Sequence, residues 1–224
     1  DRLRGVDGTV RLGRSNSVRF QYLFSQTEYP DAVVTAFEQP EGAFGGHAYS
    51  FNFNRNTRNW FMGARTRGYS PEFRADSGFV TQTDFRTTAA NVGRVFIGGT
   101  DTWYSRIELG VGANRDTDYA GERAQWGADF TLRYAGPMQS EVYYTAAPNY
   151  EYFDGVDYEN FRHNLGFSVR PTGDLAFGVD AVRGGAIDFS GGREAEQLRV
   201  SPGVTWNAFA RRALEHDARL ADSL

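Results

Sequence analysis

From about Thr102 to Val182 the chain alternates apolar and polar residues with a period of two, not at helical spacing. One set of alternate positions runs Trp103, Ser105, Ile107, Leu109, Val111, Ala113, then Ala124, Trp126, Ala128, Phe130, Leu132, Tyr134. It continues through Ser140, Val142, Tyr144, Ala146, then Phe161, His163, Leu165, Phe167, Val169, and ends on Leu175, Phe177, Val179, Ala181. None of these is charged at pH 7. The complementary set carries nine charges (Arg106, Glu108, Asp129, Arg133, Glu141, Arg162, Arg170, Asp174, Asp180) and five glycines. Successive side chains of a strand point to opposite faces. The chain therefore reads as β-strands with one uncharged face and one charged face.

A soluble sandwich also alternates, so length and composition decide between the two architectures. The strands read as roughly 10–13 residues, whereas strands of globular proteins cluster near 5–6 and membrane-barrel strands need about 9–11. Trp60, Tyr69, Trp103, Trp126, Tyr134 and Trp206 fall toward the ends of apolar stripes, as interfacial girdles do. Mean hydropathy is −0.54. That average describes a membrane barrel as well as a soluble protein, because only every second strand residue meets lipid.

Eleven strands can be placed, at about 3–13, 17–27, 46–54, 58–69, 84–96, 102–113, 123–135, 138–147, 160–170, 174–183 and 195–206. Their links alternate short (14–16, 55–57, 97–101, 136–137, 171–173) and long (28–45, 70–83, 114–122, 148–159, 184–194). Short periplasmic turns with longer outer loops are the outer-membrane arrangement. The expected fold is an all-β, transmembrane, antiparallel up-and-down β-barrel of about 11–12 visible strands, forming part of a larger barrel. Residues 1–207 are the barrel segment and 208–224 a short helix-like tail. Because such barrels have even strand numbers, a further strand is expected before Asp1.

Composition removes several function classes. With no cysteine there is no disulfide scaffold, thiolate metal site or cysteine nucleophile. A net charge of −4 argues against a nucleic-acid partner. No apolar run approaches the roughly 20 residues of a membrane helix.

The stretch Ser70-Pro71-Glu72-Phe73-Arg74-Ala75-Asp76-Ser77-Gly78-Phe79-Val80, followed by Thr83-Asp84-Phe85-Arg86, resembles a recurring segment of a family of uncharacterised bacterial outer-membrane proteins. Gly46 to Arg55, Asn59-Trp60 and Leu198 to Asn207 are similar to other stretches of that family, so the resemblance covers about residues 45–207. In the family a barrel follows a module similar to family 9 carbohydrate-binding domains. The resemblance implies an outer-membrane location and such a module upstream, and it carries over no catalytic residue.

Three groups of residues are candidates for function. Arg106, Glu108, Asp129, Arg133, Glu141, Arg162 and Arg170 would line the lumen. They form either a network of pairs that stiffens the interior or an electrostatic eyelet for solutes. Phe73, Arg74, Asp76, Gly78 and Phe79 form either an ordered loop or an inward-folded constriction. Tyr150, Tyr152, Asp154 and Asp157 belong to an aromatic, acidic stretch that is either a bare surface loop or a ligand loop able to stack on sugars.

Asn114, Asp116 and Asp118 are spaced like the start of a calcium loop, but Tyr119 stands where glycine is needed. No metal or cofactor is expected. Histidine occurs only at 47, 163 and 216 and no nucleophile-elbow motif is present, so the chain is not read as an enzyme.

The expected function is a porin-like or uptake channel in the outer membrane of a Gram-negative bacterium, with saccharides among its candidate solutes. The alternatives are a closed barrel serving as anchor or assembly partner and, third, an outer-membrane hydrolase with His47. Expected partners are outer-membrane lipid and lipopolysaccharide, a saccharide solute, and other outer-membrane or periplasmic proteins.

Overall fold

The computed structural model describes residues 2–75, 80, 82–122, 124–153, 156–188 and 193–207. The expected tail helix over 208–224, together with Asp76, Gly78, Phe79 and Asp154, lies outside the described residues.

The described residues form eleven strands: β1 (Arg2–Leu12), β2 (Asn16–Glu28), β3 (Ala43–Asn56), β4 (Trp60–Tyr69), β5 (Phe85–Ile97), β6 (Arg106–Thr117), β7 (Ala124–Gly136), β8 (Ser140–Phe153), β9 (Val156–Thr172), β10 (Leu175–Asp188) and β11 (Arg193–Trp206). One helix, α1 (Asp31–Phe37), sits between β2 and β3, and a 3-10 turn (Pro137–Gln139) joins β7 to β8. The strands lie side by side in chain order in a single sheet, and every neighbouring pair is antiparallel. This is the all-β, up-and-down arrangement expected from the alternation. Among the described residues β1 pairs only with β2, and β11 only with β10.

Register puts the two residue sets on opposite faces without a break from β4 to β9. One row of directly opposed residues runs Met62, Val92, Val111, Phe130, Ala146, His163. The row above it runs Phe53, Ala64, Ala90, Ala113, Ala128. On the other face a row runs Asn54, Gly63, Asn91, Gly112, Asp129, and another Val95, Glu108, Arg133, Tyr143, Gly166, Asp180. A one-residue slip anywhere would swap the faces, and none occurs along these rows.

Among the described residues no second layer covers the apolar face. Among the described residues the buried hydrophobic side chains are Ala48, Phe73, Val95 and Tyr158, while Phe20, Phe51, Val111, Phe130, Leu165, Phe167 and Phe177 stand exposed. A globular domain buries its apolar face against another element, and this sheet does not.

Several expected boundaries move. In the stretch 148–159, read as a loop, residues 148–153 and 156–159 are instead strand: β8 and β9 stay paired out to Phe153 opposite Val156. Tyr150, Tyr152 and Tyr158 favour strand, and the acidic residues between them had carried the loop signal. β10 and β11 likewise stay paired out to Asp188 opposite Arg193, inside the expected 184–194 loop. The long links that remain are 29–42 and 70–84. Trp103 precedes β6, whose first residue is Arg106. Tyr69 lies on the polar face, opposite Ala48 and Phe85, and does not belong to a girdle.

Candidate functional site

The polar face gathers most of the expected lumen charges, but as separate groups. Arg106 and Glu108, two residues apart on β6, form an ion pair. Glu108 is directly opposite Arg133 on β7, and Ala135 is opposite Glu141 on β8. Arg106, Glu108, Arg133, Glu141 and Tyr143 line one concavity, and Glu108, Asp129, Thr131, Arg133, Asn91 and Phe61 line the next. Arg162 faces Ala147 and Gly184, away from this group, and Arg170 falls in the register irregularity between the Val169–Phe177 and Thr172–Leu175 pairs of β9 with β10. Among the described residues Arg106–Glu108 is the one ion pair.

The close approach of an aromatic ring shapes the polar face between β4 and β6. The ring of Phe61 lies over two glycines, the directly opposed Gly93 and the next along the row, Gly110. A Cβ at Gly93 would collide with the Phe61 ring, and one at Gly110 would stand 3.3 Å from its Cζ. The chain therefore uses glycine where one large side chain reaches across two strands.

The segment after β4 turns onto the polar face. Phe73 is 1% exposed. Its ring meets Tyr69 edge-on, with centroids 5.6 Å apart, and Tyr69 stacks on Phe85 at 5.2 Å. Its backbone covers Gly46, where a Cβ would collide with Phe73 N and Cα. The Arg74 backbone N–H donates to Ser25 Oγ at 3.0 Å, and the fully buried Ser25 hydroxyl donates to the Gly46 carbonyl at 3.4 Å. The Arg74 guanidinium bonds the Pro71 and Phe73 carbonyls, each at 2.9 Å, and lies 5.7 Å from the Phe44 ring centroid. Phe73 and Arg74 of the expected motif are thus tied inward at the long-link end of the sheet.

His47 and His163 sit on the apolar-face side. The His47 ring is hydrogen-bonded to the Tyr119 hydroxyl and stacks on Tyr22. Ser70 Oγ accepts the His47 backbone N–H at 2.9 Å and does not meet the ring. His163 bonds the Tyr144 hydroxyl at 2.8 Å and packs against Phe161. Asn114 and Asp116 are strand residues of the polar face, and Asp118 caps a turn by accepting the Gly121 and Glu122 N–H groups at 2.6 and 2.7 Å.

Of the proposed ligand residues, Tyr150 donates to Asp157 at 2.6 Å and stacks on Trp126 at 6.5 Å, while Tyr152 is directly opposite Asp157. They form the rim of an extended hairpin. At the other end of the same face Trp103 stacks on Tyr134 at 5.4 Å and the Arg94 guanidinium lies 4.7 Å from the Trp60 ring centroid.

No protein-family model and no curated protein sequence matches the chain. Among solved structures it is similar to the crystal structure of an outer membrane channel from Pseudomonas putida F1. The two chains are 13% identical, the match covers 91% of this chain and 82% of that one, and the TM-score is 0.38.

One group of charges was not singled out from the sequence: Arg11, Arg19, Arg65 and Arg67. Register places all four on the polar face of β1, β2 and β4. The signal was available, since period-2 counting carried into these strands gives the same parity.

Proposed function

We propose that this chain is the membrane-spanning part of an outer-membrane β-barrel of a Gram-negative bacterium, and that its polar face lines a passage for small polar solutes, saccharides among them. The observation that carries the reading is the uncovered apolar face. From the Trp126 row to the Tyr134 row is eight residues, roughly 27 Å along a strand at about 3.4 Å per residue. That is close to the roughly 25 Å apolar band of outer-membrane barrels. Between these two rows β6–β9 present no charged side chain to the outside; Arg115 and Glu159 stand in the Trp126 row itself, at the edge of the band, and aromatics mark both ends.

A contiguous apolar surface of this extent is untenable in water, and lipid is the solvent that removes the cost. A sheet can stand in lipid only when its edges are closed, so β1 and β11 are read as strands of a completed barrel. Charges and glycines on the opposite face suit an aqueous interior, and the segment resemblance points the same way, with a saccharide-binding module upstream. The lipid partners are phospholipid and lipopolysaccharide.

A closed barrel acting as anchor or assembly partner has one observation in its favour, the inward docking of Phe73. Single-channel recording in planar bilayers separates the two. A passage gives discrete conductance steps, and a tight bilayer seal at every protein concentration would reject it.

A further inference from the structure

We propose that the polar face of β1–β4 is a binding wall for anionic groups, and that it takes the carboxylate or phosphate of a small solute. The inference rests on the reading of that face as an aqueous interior. It starts from a charge imbalance. On the polar face of β1–β5 stand Arg11, Arg19, Arg65 and Arg67 against a single carboxylate, Asp7. On β6–β8 the balance reverses: Glu108, Asp116, Asp129, Glu141 and Glu151 stand against Arg106 and Arg133.

Register brings the arginines into one patch. Arg19 and Arg65 flank Asn52 in a single row of opposed residues. Two inter-strand steps separate them, roughly 10 Å at about 4.8 Å per step. Arg67, next but one to Arg65 on the same face, is opposite Ser50, and Ser50 is opposite Gln21. Arg11 closes the patch from below, opposite Ser17, which is itself opposite Asn54. Asp7 lies in the Arg67 row but three strands away.

All four arginines are exposed on this face, and none makes an ion pair with a described residue. Their polar neighbours are amides and hydroxyls, which can donate hydrogen bonds and do not neutralise charge; Arg67 also lies 5.5 Å from the Phe85 ring centroid, and Arg65 is opposite Ala89. Like charges at this spacing raise the potential of the wall, and a guanidinium binds an oxyanion with two parallel N–H···O bonds. The acidic wall on β6–β8 would repel the same group, so an anionic solute is held to one side of the interior.

The test uses the whole protein in detergent, titrated calorimetrically with glucuronate, glucose 6-phosphate and uncharged glucose. Tighter binding of either acidic sugar than of glucose is expected, and which of the two binds more tightly identifies the carboxylate or the phosphate. The double substitution Arg19→Gln with Arg65→Gln should weaken the acidic sugars about tenfold, given paired charge-assisted bonds. Glu108→Gln with Asp129→Asn should not weaken them.

On the unaltered protein, salt near 1 M, where the Debye length is about 3 Å, should abolish the preference and leave glucose unchanged. Equal binding of charged and uncharged sugars, or a preference indifferent to salt and to the arginine substitutions, overturns the proposal. Failure of the barrel reading registers separately, as gel mobility unchanged by boiling.

Discussion

The backbone of Phe73 lies so close over Gly46 that a Cβ at position 46 would collide with Phe73 N and Cα. The segment after β4 is therefore held inward by backbone contact as much as by its buried ring. Gly46→Ala should push it off the polar face. The cost expected is that of overpacking a tight site, about 1–3 kcal/mol. Trypsin should then cut after Arg74, whose amide is otherwise tied to Ser25 Oγ at 3.0 Å, and channel conductance should rise. A cleavage rate equal to that of the parent protein would show that the contact does not hold the segment.

Ser25 offers a finer probe of the same dock. Its hydroxyl is fully buried, accepts from Arg74 and donates to the Gly46 carbonyl. Ser25→Ala leaves both backbone groups short of a partner, which costs about 1–3 kcal/mol. Because only the inward segment depends on it, hydrogen exchange at Arg74 should accelerate while the β6–β8 amides stay protected.

On the apolar face the cost of a charge should depend on depth. Val111 lies in the middle row between the aromatic bands, and Thr117 lies beyond the Trp126 row on the same strand. Val111→Arg should destabilise the folded protein in lipid vesicles by about 2–4 kcal/mol, and Thr117→Arg by about 0–1 kcal/mol. Urea unfolding measures both. Equal costs at the two positions would remove the lipid from the explanation.

Phe61 reaches across Gly93 toward Gly110 on the polar face. Phe61→Ala should lower stability by about 1 kcal/mol, the scale of a cross-strand aromatic contact, and should widen the interior at that level. An unchanged unfolding midpoint would mean that the ring stabilises nothing.

Much of this fold was legible because strand parity is a strict rule: Phe130 and Thr131 cannot share a face, and register carries that distinction from strand to strand. The eleven strands and their order followed from counting. What failed was the reading of acidic residues as loop. Asp157 and Glu159 looked like link residues, yet Tyr150 and Tyr152 opposite them keep β8 and β9 paired.

The inward position of Phe73 could not be read from its motif, because it depends on Gly46 and Ser25, distant in sequence and joined only through pairing. The expected mixed-charge lumen also changed character. Arg106 and Glu108 are a local pair on one strand, whereas Arg19 and Arg65 are brought near each other only by the register of β2, β3 and β4.

The central claim is that one face of this sheet meets lipid and the other meets water within a membrane. The chain contains no cysteine, so each introduced cysteine is the only thiol. Cysteines placed singly along β7 and β8, as Phe130→Cys, Leu132→Cys and Tyr144→Cys on one face and Thr131→Cys and Thr145→Cys on the other, can be challenged in lipid vesicles with a water-soluble maleimide. Reaction at Thr131→Cys and Thr145→Cys with protection at the other three is the expected result. Labelling that ignores residue parity would contradict a two-faced membrane barrel.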